Sequence, residues 1–351
     1  MRILKIILTI IFGVAVFAIL FINIHPEFGS NPSSSQRKLY STFYNYVDEE
    51  FKNNQSTPLF TEEISTYDFF KGHPTLYARV YDHWHKGLFQ DKLKERELIT
   101  PEPYRVWEYY NQLCSIAQAY DIAINNKGLR ELQKPRVRLN KEEMIFGKKL
   151  VDEVREKTKK DKVVVFQPFG RTTQHENGMI SDYSGRSFEA ENSVNIVKKL
   201  SKKFGVIHMA EFGIDFSKHK VKEPVASPMG ADLRHWCGII ANADYFLGCD
   251  SSGQHMVHAL DKKCTVVIGS TYPVNVSYPE DKNFDILDMG EGARVYSPIR
   301  VTQDEFSDRT NDGIMAMNDK VEKIICQSVN NGIKNLPKVG SKYSEDAKDT
   351  K

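Results

Sequence analysis

Three loops in the C-terminal half carry side chains that could do chemistry. Residues 167–178 read QPFGRTTQHENG, residues 210–215 read AEFGID, and residues 248–260 read GCDSSGQHMVHAL. The last is the most informative. Asp250 closes a short apolar run, and Ser251, Ser252 and Gly253 lead into a helical pattern. Small residues at such a turn let backbone N–H groups approach an anion, and a helix N-terminus adds partial positive charge. Gln254 and His255 fall in the first helical turn, at the same mouth. A diphosphate suits that arrangement. The same residues also fit an ordinary strand-to-helix turn, with Ser as N-cap and His255 in the core.

The elements that must hold these loops follow from periodicity. KVVVFQPFG (162–170) is a β-branched run closed by Pro and Gly, as in a strand buried on both faces of a parallel sheet. A helix follows over about 189–203, then a strand and loop in FGVIHMAEFG. Residues 231–243 read as helix, 245–250 as strand, 252–260 as helix and 264–270 as strand. Strands alternating with helices imply right-handed βαβ crossovers and a doubly wound sheet. In an open α/β sheet, ligands bind at the C-terminal strand edge, where all three loops would lie.

Upstream the signals are weaker. STPLFTEE and ARVYDHW (78–84) are short strand candidates; helices are predicted over 36–54 and, rich in aromatics, over 101–124, and an amphipathic helix over 141–160. Residues 6–24, IILTIIFGVAVFAILFINI, carry no charge over 19 positions. At 1.5 Å per residue they nearly span a ~30 Å hydrocarbon core. A single N-terminal transmembrane helix is the expectation, with Arg2 and Lys5 placing the N-terminus in the cytosol. A cleaved signal peptide is the second reading, and an apolar run ending in a buried first strand of a nucleotide-binding domain is the third. The segments are then 1–25 anchor, 26–140 short N-terminal domain with its spacer, 141–336 nucleotide-sugar-binding domain and 337–351 disordered tail.

Composition excludes several classes. Of 351 residues, 27% are charged and 40% hydrophobic, which suits a folded chain of about two domains. Lys+Arg 48 against Asp+Glu 46 gives +2 with no basic block, which argues against nucleic acid as a partner. A mean hydropathy of -0.46 excludes a polytopic membrane protein. The five cysteines include no CxxC pair, so no structural zinc site is indicated and buried thiols are expected. No GxGxxG follows a strand, which argues against a dehydrogenase.

At GCDSSGQHMVHAL followed by CTVVIGSTYP, the sequence resembles the donor-binding half of the family-9, heptosyltransferase-like glycosyltransferases. Their motif Asp-Thr/Ser-Gly-x-x-His-x-x-x-Ala matches at Asp250, His255 and Ala259, though its Gly stands one place before Gly253. QPFGR followed by SGRSF is similar to their strand, loop and basic residue. The resemblance covers about residues 160–335. It implies an α/β, GT-B-like fold of two Rossmann-like domains, the N-terminal one short. Asp250 would contact the donor sugar, Ser251, Ser252 and Gly253 would form the diphosphate turn, and His255 would bind or protonate the leaving phosphate. Arg186 stands where the family commonly has Lys, Thr172 and Thr173 lie in a phosphate-reaching loop, and Glu211 fits the ribose position.

The implied reaction is inverting, metal-independent transfer of a sugar from a nucleoside-diphosphate donor to a glycan, glycolipid or glycoprotein acceptor, with no further cofactor. The catalytic base is not matched by the motif; Asp82, His83 and His85 in YDHWHKG are candidates, beside Glu27 and His73. A binding module that keeps the nucleotide fold without a base is the alternative, and a sugar-nucleotide epimerase a third. The expected compartment is the secretory lumen for a eukaryotic chain and the inner membrane for a bacterial one.

Overall fold

The computed structural model describes residues 4–8, 60–62, 80–82, 96–99, 101–170, 173–176, 179–182, 184–294, 311 and 313–340. The chain divides into two compact units, Met1–Arg138 and Leu139–Lys351.

The N-terminal unit holds four strands, β1 (Leu4–Leu8), β2 (Phe60–Glu62), β3 (Val80–Asp82) and β4 (Arg96–Ile99). They form one parallel sheet in the order β3-β2-β1-β4. This corrects the expected membrane helix over 6–24 at its start. Ile6, Ile7 and Leu8 lie in β1, which pairs with β4 on one side and β2 on the other. A continuous apolar run does not distinguish a spanning helix from a buried parallel strand. Residues 9–24, the spacer and the helix expected over 36–54 lie outside the described residues. No helix among the described residues is long and apolar enough to cross a membrane.

The single helix expected over 101–124 is broken. A 3-10 turn at Pro103–Arg105 is followed by α1 (Trp107–Tyr110) and α2 (Ile116–Asn125). Gln112 adopts a left-handed φ of 54° between the two. Ser115 then restarts the helix with a capping box, its hydroxyl accepting from the Gln118 N–H while the Gln118 side chain accepts from Ser115 N–H. Aromatic periodicity runs through the break, but the capping chemistry decides the boundary.

The C-terminal unit opens with α3 (Lys141–Thr158), capped by Asn140 and Glu143 as a second capping box. Then follow β5 (Val163–Gln167), the antiparallel hairpin β6 (Gln174–Glu176) and β7 (Met179–Ser181), α4 (Ala190–Leu200), β8 (Gly205–His208) and β9 (Val225–Ala226). The chain continues through α5 (Leu233–Asn242), β10 (Tyr245–Cys249), α6 (Ser252–Ala259), β11 (Cys264–Ile268), α7 (Pro273–Val276), β12 (Phe284–Asp288) and α8 (Asp319–Ile333). The six parallel strands lie in the order β12-β11-β10-β5-β8-β9. Counted within the sheet this is 6-5-4-1-2-3, the doubly wound order of dinucleotide-binding sheets. Its switch point falls between β5 and β10.

Every residue of β5, β8, β10 and β11 is buried, as parallel strands covered on both faces require. Helices α3 and α5 cross at glycines: a Cβ at Gly147 would sit 2.0 Å from the Gly238 carbonyl oxygen. Beside that crossing, Arg234 grips Glu143 with two bonds of 2.5 and 2.8 Å. Cys114, Cys237, Cys249 and Cys264 are buried free thiols, and Cys326 is half-buried. Ordered packing continues past Leu336. Val339 is buried, and the N–H groups of Val339 and Gly340 donate to the buried Asp285 carboxylate at 3.0 and 2.8 Å.

Candidate functional site

The site is built at the switch point. Strand β5 ends in Gln167 and β10 runs into Asp250, side by side in the sheet. Gln167 is buried, and its amide spans the gap: Nε2 donates to Ser251 Oγ at 3.3 Å and Ser252 Oγ at 3.4 Å, while Oε1 accepts the Gly253 N–H at 2.9 Å. Gly253 is required by this approach, because a Cβ there would lie 2.2 Å from Gln167 Oε1 and 2.4 Å from the Phe246 ring. Ser251 is the N-cap of α6 but makes no side-chain cap bond.

Asp250 is fully buried and held on both oxygens. Gln254 Nε2 donates to Oδ1 and Thr271 Oγ1 to Oδ2, each at 2.9 Å. Burial raises the Asp250 carboxyl above its ordinary range, and the Arg186 charge is the largest effect opposing it. Arg186 and Asp250 therefore share one field.

The loop carrying Arg186 is fastened by Asp182. Its carboxylate accepts from Ser184 N–H at 2.9 Å, Ser184 Oγ at 2.6 Å and Ser187 N–H at 3.0 Å. Burial works to raise the Asp182 carboxyl, but those bonds and the Arg186 charge together hold it below its ordinary value. Ser184 Oγ in turn accepts from Arg186 Nε at 3.1 Å. Ser187 ties this loop to the β5 loop: its Oγ accepts the Gly170 N–H at 2.9 Å and lies 2.8 Å from Thr173 Oγ1. Ser270 closes the far side, its N–H donating to Gly185 O at 3.0 Å and its hydroxyl to Ser184 O at 2.5 Å. Gly185 has a φ of +65°, the left-handed region that suits glycine.

His255 is 1% exposed. Its Nδ1 lies 2.8 Å from the Tyr278 hydroxyl, and its Nε2 is buried without a partner. Burial, with the nearby His258, pushes its pKa down to about 3, so the ring is neutral. Tyr278 stacks on His258 at 3.6 Å between ring centroids, and His258 Nδ1 lies 2.8 Å from Asp281 Oδ2.

The structure thus gathers Asp250, Ser251, Ser252, Gly253, His255, Thr173 and Arg186 around one strand edge. Glu211 is exposed in the loop after β8, three residues past His208. Next to that loop a stack of rings runs from Phe169 through Phe212 to His175, with centroids 5.1 and 4.9 Å apart. Thr172 lies outside the described residues, as do His83 and His85. Asp82 ends β3 in the N-terminal unit.

Sequence reasoning missed Gln167, Asp182, Ser187, Thr271 and Tyr278 as site residues. Gln167 carried a readable signal, a polar residue ending a β-branched run at the ligand edge. Asp182-Tyr183-Ser184-Gly185 carried another, an Asp set to accept from the backbone two residues on. Tyr278 carried none, standing 23 residues from its partner His255.

No family profile matches the chain, and no curated protein matches it in sequence. Among solved structures it is similar to the glycosyl transferase family 9 structure from Veillonella parvula DSM 2008, with a TM-score of 0.60 at 9% identity, covering 94% of this chain and 97% of that one. It is similar also to E. coli ADP-heptose LPS heptosyltransferase II, with a TM-score of 0.54 at 10% identity, covering 95% and 99%. The α/β, GT-B-like fold expected from the sequence is the fold observed, and no helix among the described residues is long and apolar enough to cross a membrane.

Proposed function

We propose that the protein is a glycosyltransferase that takes a sugar from a nucleoside-diphosphate donor and passes it, with inversion, to a hydroxyl of a glycan, glycolipid or glycoprotein acceptor. The observation that carries this reading is the switch point of a dinucleotide-type sheet, where β10 runs into the buried Asp250 and Ser187 ties the loop carrying Arg186 to the neighbouring β5 loop. A cation held beside a small-residue turn at a helix N-terminus suits a diphosphate. A buried carboxylate fixed by Gln254 and Thr271 suits sugar hydroxyls beside it.

In this reading Arg186 and the backbone N–H groups of Ser251 and Ser252 neutralise the departing diphosphate, and His255 donates to it. The Gly253 N–H is taken by Gln167, so that amide supports the turn rather than the ligand. Electrostatic stabilisation of the leaving group supplies the main catalytic effect, with no metal ion called on. An acceptor-side base, for which Asp82, His83 and His85 are the candidates, removes the acceptor proton. The fold-similar E. coli protein is named for ADP-heptose, which makes ADP-heptose the first donor to try.

The test incubates the full chain with ADP-, GDP- and UDP-sugars, with and without candidate acceptors, and follows nucleoside-diphosphate release. Acceptor-dependent release is expected with one nucleotide class. Saturable binding without release identifies a binding module instead, and interconversion of the free donor an epimerase.

A further inference from the structure

His255 and Tyr278 form a pair whose proton count is informative. The hydrogen bond between Nδ1 and the phenol can run either way, and the phenol makes no other hydrogen bond among the described residues. Suppose Nδ1–H donates to the phenol oxygen. Then the phenol proton has no acceptor among the described residues, and Nε2 is left as a bare buried acceptor, so two groups are unmatched. Suppose instead the phenol donates to Nδ1. Then the phenol proton is used, and the one unmatched group is an Nε2–H donor. The second arrangement strands fewer polar groups, which is the rule for protein interiors.

The tyrosine is itself fixed. Its ring lies flat on His258 with an interplanar angle of 14°, and edge-on to Phe284 at 5.1 Å. His258 is anchored by Asp281 at 2.8 Å. The hydroxyl therefore meets His255 from a set direction. The remaining orphan is Nε2 of a residue 1% exposed on the opening turn of α6, beside the small-residue turn.

We propose that Tyr278 is a positioning residue that donates to Nδ1 of His255 and holds the imidazole as its Nε2–H tautomer, a neutral donor kept for an oxyanion of the bound diphosphate. The choice of a diphosphate rests on the glycosyltransferase reading above; the tautomer does not. Tyr278 sets which atom of His255 carries the proton, in the way that an orienting partner sets the tautomer of a histidine ligand or base. Burial supports the assignment by keeping the ring neutral and the phenol protonated.

The test uses Tyr278→Phe in the full chain, which keeps the ring that stacks on His258 and removes only the hydroxyl. Long-range proton–nitrogen NMR of the histidine rings, assigned with His255→Ala, reads the tautomer. Wild type should show His255 with its proton on Nε2, and the Phe variant should lose that pattern in part. ADP, GDP and UDP are titrated into both proteins, with adenosine, guanosine and uridine as controls. The nucleoside diphosphate that binds wild type should bind the variant about 10-fold more weakly, with its nucleoside unaffected. In a His255→Ala background the same change should add no further loss, since Tyr278 acts through His255. A wild-type tautomer protonated on Nδ1 overturns the proposal whatever binds. An unchanged diphosphate affinity, or a full extra loss in the His255→Ala background, also overturns it. No binding of any of the three nucleotides to wild type overturns the donor reading and the oxyanion role with it, and the spectrum still decides what Tyr278 does.

Discussion

Gln167 Oε1 accepts the Gly253 N–H at 2.9 Å, joining the end of β5 to the start of α6 across the point where the winding of the sheet reverses. The two strands diverge into connections on opposite faces there, so the crevice between them must be closed by side chains. One amide does this by bonding both serine hydroxyls and the glycine amide of the turn. The mouth is thereby a fixed template, and Gly253 lacks a side chain because Gln167 and Phe246 fill the space beside it.

Gly253→Ala tests that template. The added Cβ would meet Gln167 Oε1 at 2.2 Å and two Phe246 ring carbons at 2.4 and 2.8 Å. Buried neighbours cannot yield cheaply, and overpacking of this kind costs about 1–3 kcal/mol. Urea unfolding should show that loss, with nucleotide affinity falling as well. A variant as stable as wild type would mean the turn is looser than its contacts indicate.

A second expectation concerns pH. His208, at the end of β8, is 1% exposed, and neither ring nitrogen has a partner. Its neighbours are the Phe169 and Phe216 rings at 6.1 and 5.2 Å. Burial pushes its pKa down to about 4 from 6.5. The unfolded chain then binds more protons than the folded one between those values, so stability is lost as pH falls from 6.5 towards 4. The loss approaches about 1.4 kcal/mol per pH unit inside that window. Urea midpoints at pH 7, 6 and 5 should fall accordingly. His208→Leu should flatten the slope, leaving the part due to His255, whose pKa is lowered in the same direction. An unchanged slope in the variant would place the titration elsewhere.

Much of the C-terminal unit was legible in the sequence because β5, β8 and β11 are short apolar runs rich in Val and Ile, too short for a buried helix and alternating with helical patterns. Asp250 and His255 were legible from the strand-to-helix turn that carries them taken together with the family resemblance, because the turn alone fits an ordinary helix start equally well. Tyr278 was not, because what brings it to His255 is the return of the chain through β11 and α7, a long-range contact with no local pattern. The hairpin β6–β7 and the two-residue β9 were too short to show a period. Residues 6–8 were misread because an uncharged apolar run does not say whether it will form a spanning helix or a parallel strand.

Arg186→Ala addresses the anion directly. If Arg186 meets the diphosphate, losing a charge-assisted bond should cost about 1.5–3 kcal/mol of nucleoside-diphosphate binding and leave nucleoside binding nearly intact. Calorimetry with each nucleotide and its nucleoside checks this. Asp182→Asn should produce a smaller loss in the same direction, because it loosens the Ser184 and Ser187 bonds that fasten the loop without removing the cation. Equal losses for nucleotide and nucleoside would put Arg186 away from the phosphates.

Asp250→Asn separates catalysis from architecture. The carboxylate accepts from Gln254 on one oxygen and Thr271 on the other, so an amide of the same shape keeps one acceptor and turns the second into a donor. One buried bond is thereby lost, with a cost of about 1–3 kcal/mol. The Arg186 charge also loses its buried counter-charge. If Asp250 orients the donor sugar, turnover should fall by roughly 10–1000-fold, since a single preorganised polar group contributes a few kcal/mol to a transition state. Thr271→Val supplies the control: it removes one partner of Asp250 at similar volume while leaving the carboxylate in place. It should lower stability comparably and turnover much less. Turnover and urea stability measured on both variants decide the matter. Matching stability losses with unequal turnover assign Asp250 to the reaction. Equal effects on turnover would make Asp250 a buried strut of the switch point, and the donor-sugar role would be withdrawn.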